Sequence, residues 1–246
     1  GVVGTFAART AGAWGNNLLV STCPSATAYE AEGATTVNDA STSVGDTTVT
    51  VTSGAALNVG DIISFSTTAA TNDYDDGHQY RITGISTNDI TIVQKESGSG
   101  GLQTTLTDGG NIRRRWRYYD SVGTAPGTSP YVSDRSGSGD EIHVVVVDED
   151  GGVTGVPGSV LETYEKLSKA SDAKSPQGDT NYYSDVIYAK SQYVYWMDHN
   201  TSGSNWGSTS AGTTFTAVNT PTLESLSGGV DGSSVTTGQK KTAYEK

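Results

Sequence analysis

Residues capable of nucleophilic chemistry are few in this chain. The histidines are His78, His143 and His199, and the serines in suggestive settings are Ser129, in Gly127-Thr-Ser, and Ser210, in Ser208-Thr-Ser-Ala-Gly212. A serine relay needs a nucleophile on a fixed turn, a histidine within reach and a carboxylate orienting that histidine. Here both serines lie in low-complexity stretches, His143 sits inside an apolar run, His78 in a β-rich zone and His199 at the mouth of a loop. Nothing in these patterns positions a relay, and no Gly-x-x-x-x-Gly-Lys-Ser/Thr loop exists to cradle a nucleotide phosphate. The reading is a non-enzyme that needs no cofactor.

Two acidic runs could offer oxygen ligands to a hard cation: Asn72-Asp-Tyr-Asp-Asp-Gly-His78, with Asp73, Asp75 and Asp76, and Asp148-Glu-Asp-Gly151. Neither completes a twelve-residue calcium loop with its closing bidentate Glu. Asp and Gly are also ordinary turn residues, the first capping its own backbone and the second taking positive φ. With one cysteine and scattered histidines, zinc has no ligand set.

The third cluster is basic, Arg113-Arg-Arg-Trp-Arg117. In a strand its side chains divide between two faces, so no single patch for nucleic acid results. Solvated charge that protects a sheet edge is one reading. A charge-complementary contact to an acidic neighbour is the other, with Arg113, Arg115 and Arg117 as candidate subunit-contact residues.

The chain as a whole constrains these readings. It has 246 residues, 31 of them Gly, with 34% hydrophobic and 17% charged residues. It is long enough for a real core and too rich in Val, Ile, Tyr and Trp for disorder. The formal charge of −12 opposes non-specific binding to nucleic acid or anionic lipid. Lone Cys23 has no partner for a disulfide within the chain, which fits assembly in a reducing compartment. No apolar stretch is long enough to span a membrane as a helix. Residue 1 is Gly and the only methionine is Met197, so the chain reads as an internal piece, truncated at both ends. Its last residues, 237–246, read as the first turns of a helix.

Three zones position the candidate residues. Residues 1–35 hold a strand at Leu18–Val20. Residues 36–110 carry short period-2 runs at 49–52, 57–65, 80–85 and 89–93 between Gly, Asn and Asp turns, predicting an inserted, small, barrel-like all-β domain. Residues 111–246 predict α/β structure. A strand covers 112–119, and a near-continuous apolar strand, Glu141–Asp148, is of the kind buried on both faces. A helix is expected from Pro157-Gly158 to about Ala170, with Val160, Leu161, Tyr164 and Leu167 on one face. A second helix covers 183–190, a strand 192–197, and a Ser/Thr/Gly loop 200–220. The fold class expected is α+β or α/β, a mixed sheet flanked by helices with the β unit inserted. Trp14, Tyr182 and Tyr183 read as core aromatics, and Gly15 and Gly228-Gly229 as backbone positions closed to other residues.

Four segments, in order, resemble one family. Phe6-Ala-Ala-Arg-Thr-Ala-Gly-Ala-Trp-Gly-Asn-Asn-Leu18 carries a Gly-x-Trp-Gly-Asn-x-Leu pattern before a strand. Asp140–Glu162 carries Val-Val-Val-Asp-x-Asp-Gly-x-x-Thr-Gly-x-Pro-Gly-x-x-Leu-Glu. Leu167–Ser191 continues it, and Leu226-Ser-Gly-Gly-Val-Asp-Gly232 follows. Together they resemble the conserved core of contractile-tail sheath proteins of myovirus-type phages, over roughly 1–35 and 111–246. The resemblance implies a structural subunit that packs in helical rings around a tail tube and rearranges on contraction to drive the tube through the host envelope. Its implied partners are other copies of the subunit, the tube protein, baseplate and tail terminator. Neither nucleic acid nor membrane insertion is implied, and the implied location is the virion, assembled in the host cytoplasm. The motif residues it marks as structural are Trp14, Gly15, Asn16, Asp148, Gly155, Pro157, Gly158, Gly228, Gly229, Asp231 and Gly232. Zone 36–110 departs from the family and looks like a lineage-specific insertion. The other function compatible with Thr/Gly/Asn-rich strands is a β-rich surface adhesin or carbohydrate-binding module.

Overall fold

Short β-branched runs become strands wherever a Gly, Asn or Asp turn lets the chain reverse. A computed structural model describes residues 5–74 and 77–232. Along the chain come β1 (Phe6–Ala8), a 3₁₀ turn (Ala13–Asn17), β2 (Leu18–Cys23), the single turn α1 (Ala26–Tyr29) and β3 (Glu30–Thr36). Then follow β4 (Thr48–Thr50), β5 (Ile62–Ala69), β6 (Tyr80–Ser86), β7 (Asp89–Gln94) and β8 (Gly110–Arg115). The last part holds α2 (Pro130–Ser133), β9 (Glu141–Asp148), β10 (Ser159–Ser168), α3 (Tyr183–Lys190), β11 (Val194–Trp196) and β12 (Thr222–Ser225). The expected terminal helix and the residues Asp75 and Asp76 lie outside the described residues.

Among the described residues the strands form three antiparallel sheets: β1-β11, β10-β9-β2-β12 and β3-β8-β5-β6-β7-β4. The class is α+β, and the expected mixed sheet is replaced by antiparallel ladders, with parallel pairing confined to isolated bridges such as Ser168↔Tyr182. The β unit is not a closed barrel. Its edge strands β3 and β4 meet at their ends, through the bridge Val37↔Val51 and the bonds Asn38 N–H to the Thr50 carbonyl and Thr52 N–H to the Thr36 carbonyl, instead of along a ladder.

β9 is buried along its whole length, as its composition predicts, and the reason is visible in its two faces. Ile142, Val144 and Val146 join Leu18, Val20, Tyr183, Val186 and Ile187 in a core roofed by α3. Val145 and Val147 face the other way, against Leu19, Cys23, Trp116, Tyr118 and Val122. A strand covered on both sides carries no polar face, whatever the direction of its neighbours. A third core, with Phe65, Tyr80, Ile82, Ile90, Ile92 and Ile112, fills the six-stranded unit.

The helix expected over 157–170 is strand β10. Its ladder with β9 contains two bulges, one between Val160 and Glu162 and one between Tyr164 and Leu167, where Tyr164 faces Val144 and Leu167 faces Ile142. An extra residue at each bulge stretches the two-residue period of a strand to three. Leu161, Tyr164 and Leu167 therefore fall on one core at a spacing that imitates a helix. The second bulge holds Lys166 at φ +52°, and its N–H donates to His143 Nδ1 (3.0 Å). A left-handed L-residue costs roughly 1 kcal/mol, and a β-branched one more. Lys166→Val is expected to lower unfolding free energy by about 1 kcal/mol or more, and Lys166→Gly to hold or raise it, as read by chemical denaturation. In a helix the order of the two variants would reverse.

Candidate functional site

The 3₁₀ turn at Ala13–Asn17 is the hub of a loop junction. Asn16 Nδ2 donates to the Gly229 carbonyl (2.9 Å), and Gly229 N–H donates back to Asn16 Oδ1 (2.8 Å), across 213 residues. Ala13 N–H donates to Asp231 Oδ1 (2.8 Å). The two segments approach so closely that a Cβ on Gly229 would sit 2.2 Å from the Gly12 carbonyl; on the other side, one on Gly15 would sit 2.6 Å from Ala8 Cβ of β1. Asn17 ties in the third loop: its carbonyl accepts from Glu149 N–H (2.7 Å), and its side chain packs on Gly152. Trp14 stacks on Tyr193 at 6.3 Å.

Asp148 organises that third loop from within. Its carboxylate accepts from the N–H groups of Val153 and Thr154 and from the Thr154 hydroxyl (2.7 Å). Burial opposes its ionisation, but these donors outweigh burial and hold the carboxyl below its ordinary value. Gly158 N–H donates to the Asp148 carbonyl (2.7 Å), with Gly155 and Gly158 both at positive φ, and Pro157 lies against Gly151. Trp14, Gly15, Asn16, Asp148, Pro157, Gly158, Gly229 and Asp231, dispersed in sequence, are thus brought to one interlocked set of loops. Gly155, Gly228 and Gly232 have open space where a side chain would stand. A cleft of about 470 Å³ opens between β1 and the 224–229 segment, lined partly by Gly12, Gly15, Asn16 and Gly229.

At the other end of β2, beyond Cys23, lie two buried cations that sequence reasoning missed. Lys169, wholly buried, donates from Nζ to the carbonyls of Pro24 (2.9 Å) and Gly139 (3.0 Å). Burial pulls its ammonium down to about 8, against the pull of Asp140. Arg114, 1% exposed, donates to the carbonyls of Ala28 (3.0 Å), Thr27 (2.6 Å) and Asn219 (3.0 Å). Asp61, buried among Arg114 and Arg117, is pushed up to about 7 by burial. Burial likewise pushes the Cys23 thiol up to about 12, which leaves it an unreactive core group. The only sequence signal for Arg114 was its place out of phase with Arg113 and Arg115; for Lys169 there was none.

The remaining arginines are half-buried on the opposite face of β8 and its continuation, and each has a partner. Arg113 lies over the Tyr74 ring (4.5 Å), Arg115 is ion-paired with Glu30 and lies near Tyr119, and Arg117 lies by Tyr118 (5.4 Å). The two serines are structural in their contacts. Ser129 Oγ donates to the fully buried Asp140 (2.8 Å), which also accepts from Ser168 Oγ (2.5 Å), and Ser210 Oγ donates to Asp172 (2.8 Å). His143 accepts at Nδ1 from Lys166 N–H, so its Nε2–H donates to the Thr124 carbonyl (2.8 Å), and burial lowers its pKa. His199 bonds the Tyr183 hydroxyl (2.7 Å) amid Trp196 and Trp206. Asp73 accepts from the Thr67 hydroxyl (2.7 Å), and no metal-holding group of three or more His, Cys, Asp or Glu occurs among the described residues.

No protein-family model, curated protein or solved structure matches this chain. What the junction does follows from its geometry: it ties loops distant in sequence to one another.

Removing Lys169 leaves the Pro24 and Gly139 carbonyls without their donor inside the protein, so Lys169→Ala is expected to cost about 2–5 kcal/mol, and Lys169→Met less. The measurement is denaturant unfolding. The pH dependence has a definite sign. Folded Asp61 holds its proton up to about pH 7 and the unfolded group releases it near its ordinary value of 3.8, so its contribution is full below that value and is lost as pH rises towards 7. Folded Lys169 loses its proton near 8 and the unfolded group near 10.5, so stability recovers as pH rises through that window. Asp61→Asn should flatten the first limb and Lys169→Met the second.

Proposed function

We propose that this chain is the rigid body of a subunit of a contractile phage tail sheath. The observation that carries the reading is the interlock of three of the resembling segments: the Trp14-Gly-Asn-Asn17 turn bonds both the Gly228-Gly-Val-Asp-Gly232 turn and the loop that follows Val-Val-Val-Asp148. A set of motifs whose side chains serve each other suits a protein whose work is mechanical.

The mechanism is a change of packing between bodies that keep their own shape. Fully buried β9 and the carbonyl-clamped cations supply the stiffness. Energy is stored in the extended lattice at assembly and released when copies repack around the tube, with baseplate and terminator fixing the two ends. Arg113, Arg115 and Arg117 remain the candidate contact residues, since half-buried guanidinium groups on aromatic faces retain donors for an acidic neighbour.

Electron microscopy of the product of the whole coding sequence, expressed alone, tests the proposal. Tubes or stacked rings are expected, and a dispersed monomer would sink the idea. Reversing charge with Arg113→Glu and Arg117→Glu is expected to leave circular dichroism unchanged and to reduce the assembled fraction in sedimentation. Unaltered assembly would remove these residues from the contact.

A further inference from the structure

A second feature lies on the six-stranded unit, away from the loop junction. A pocket of about 310 Å³ is lined by Gly77, His78, Gln79, Gln94, Glu96 and Gln103. Its size is at the low end of small-molecule pockets, about 300–1,000 Å³. Its lining is unusual for such pockets, with three carboxamides, one imidazole and one carboxylate, and no apolar wall. Gln79 and Gln94 are brought together by the ladder: Tyr80 pairs with Gln94, and Lys95 N–H donates to the Gln79 carbonyl (2.9 Å).

The amides are held, and only partly used. Gln94 Nε2 donates to the Gly101 carbonyl (3.0 Å) and its Oε1 accepts from Ser97 Oγ (3.2 Å). A carboxamide has two donors and two acceptor lone pairs, so one of each remains. Gln79 Oε1 accepts from the Tyr119 hydroxyl (3.3 Å), which is itself bonded by Lys95 Nζ (2.6 Å) in an ion pair with Asp120 (3.0 Å). The fixed side chains therefore present paired donors and acceptors to whatever enters.

Those pairs select the ligand by chemistry. An anion would meet Glu96, while the nearby Lys95 is engaged elsewhere. A cation would find a single carboxylate, and an apolar molecule would strand the amides without partners. Vicinal hydroxyls donate and accept together, as the carboxamides do. We propose that this pocket binds a neutral saccharide. With no Tyr or Trp among its lining residues, the expected affinity is in the millimolar range, about −4 kcal/mol. The proposal does not depend on the assembly reading.

The test is a titration of the ¹⁵N-labelled chain, followed by NMR, with glucose, galactose, mannose and their disaccharides. Side-chain amide resonances of Gln79, Gln94 and Gln103 are expected to shift with at least one of them. Gln103→Leu changes an exposed side chain and should keep the backbone spectrum while weakening binding about tenfold. Gln79→Leu should do the same. No shift from any saccharide would overturn the proposal. So would shifts that both variants leave unchanged, or the same resonances responding to inorganic phosphate or calcium chloride instead.

Discussion

The structure depends on how one short link is held. Between β2 and β3 the chain passes from the four-stranded sheet to the six-stranded one through Pro24–Tyr29, and its carbonyls would be left unpaired inside the protein. Lys169 satisfies Pro24 from one side, and Arg114 satisfies Thr27 and Ala28 from the other. Both cations are charged groups out of water, which is costly for each ion. Carbonyl dipoles, with Asp140 near one and Asp61 near the other, offset that cost only in this geometry. The arrangement therefore favours a single relation between the two sheets over a looser, more stable apolar packing.

The loop junction repeats the logic with neutral groups. Reciprocal amide bonds between Asn16 and Gly229 need both partners at close approach, and glycines at 12 and 229 permit it. The Asp148 carboxylate does for its own loop what an external ligand would do elsewhere, taking up N–H groups that the turn leaves free. Such polar networks are worth most when complete, because each member left alone in a low dielectric is penalised. The segments that carry the motifs are thus tied to one another by direct hydrogen bonds.

Much of this was legible in the residues. β9 announces itself by eight residues with an unbroken valine centre, α3 begins and ends where its composition says, and the alternating runs of 36–110 become strands. The failure at β10 is equally instructive. Periodicity reports which residues share a face, and a bulged strand presents the same three-residue spacing as a helix, so Leu161, Tyr164 and Leu167 were ambiguous in principle. The barrel expectation failed because closure depends on whether the last two edges pair along their length, a long-range fact with no local signature. Motif residues such as Asn16 and Gly229 were visible as a resemblance, but their bond to one another was not. Lys169 and Arg114 were least legible, since a charged residue reads as surface until its carbonyl partners are known.

The same strand explains why the six-stranded unit is not an appendage. β8 sends Arg114 into the clamp, and its continuation sends Trp116 against Val145 and Val147, with the indole N–H on Ser21 Oγ (2.9 Å). Three residues further on, Tyr119 bonds Gln79 at the polar pocket through its hydroxyl and accepts the Tyr29 hydroxyl at its carbonyl (3.3 Å). A run of six residues thus touches the clamp, the central sheet and the pocket. A ligand held by those amides would be held by the core itself, because no hinge separates Tyr119 from Arg114.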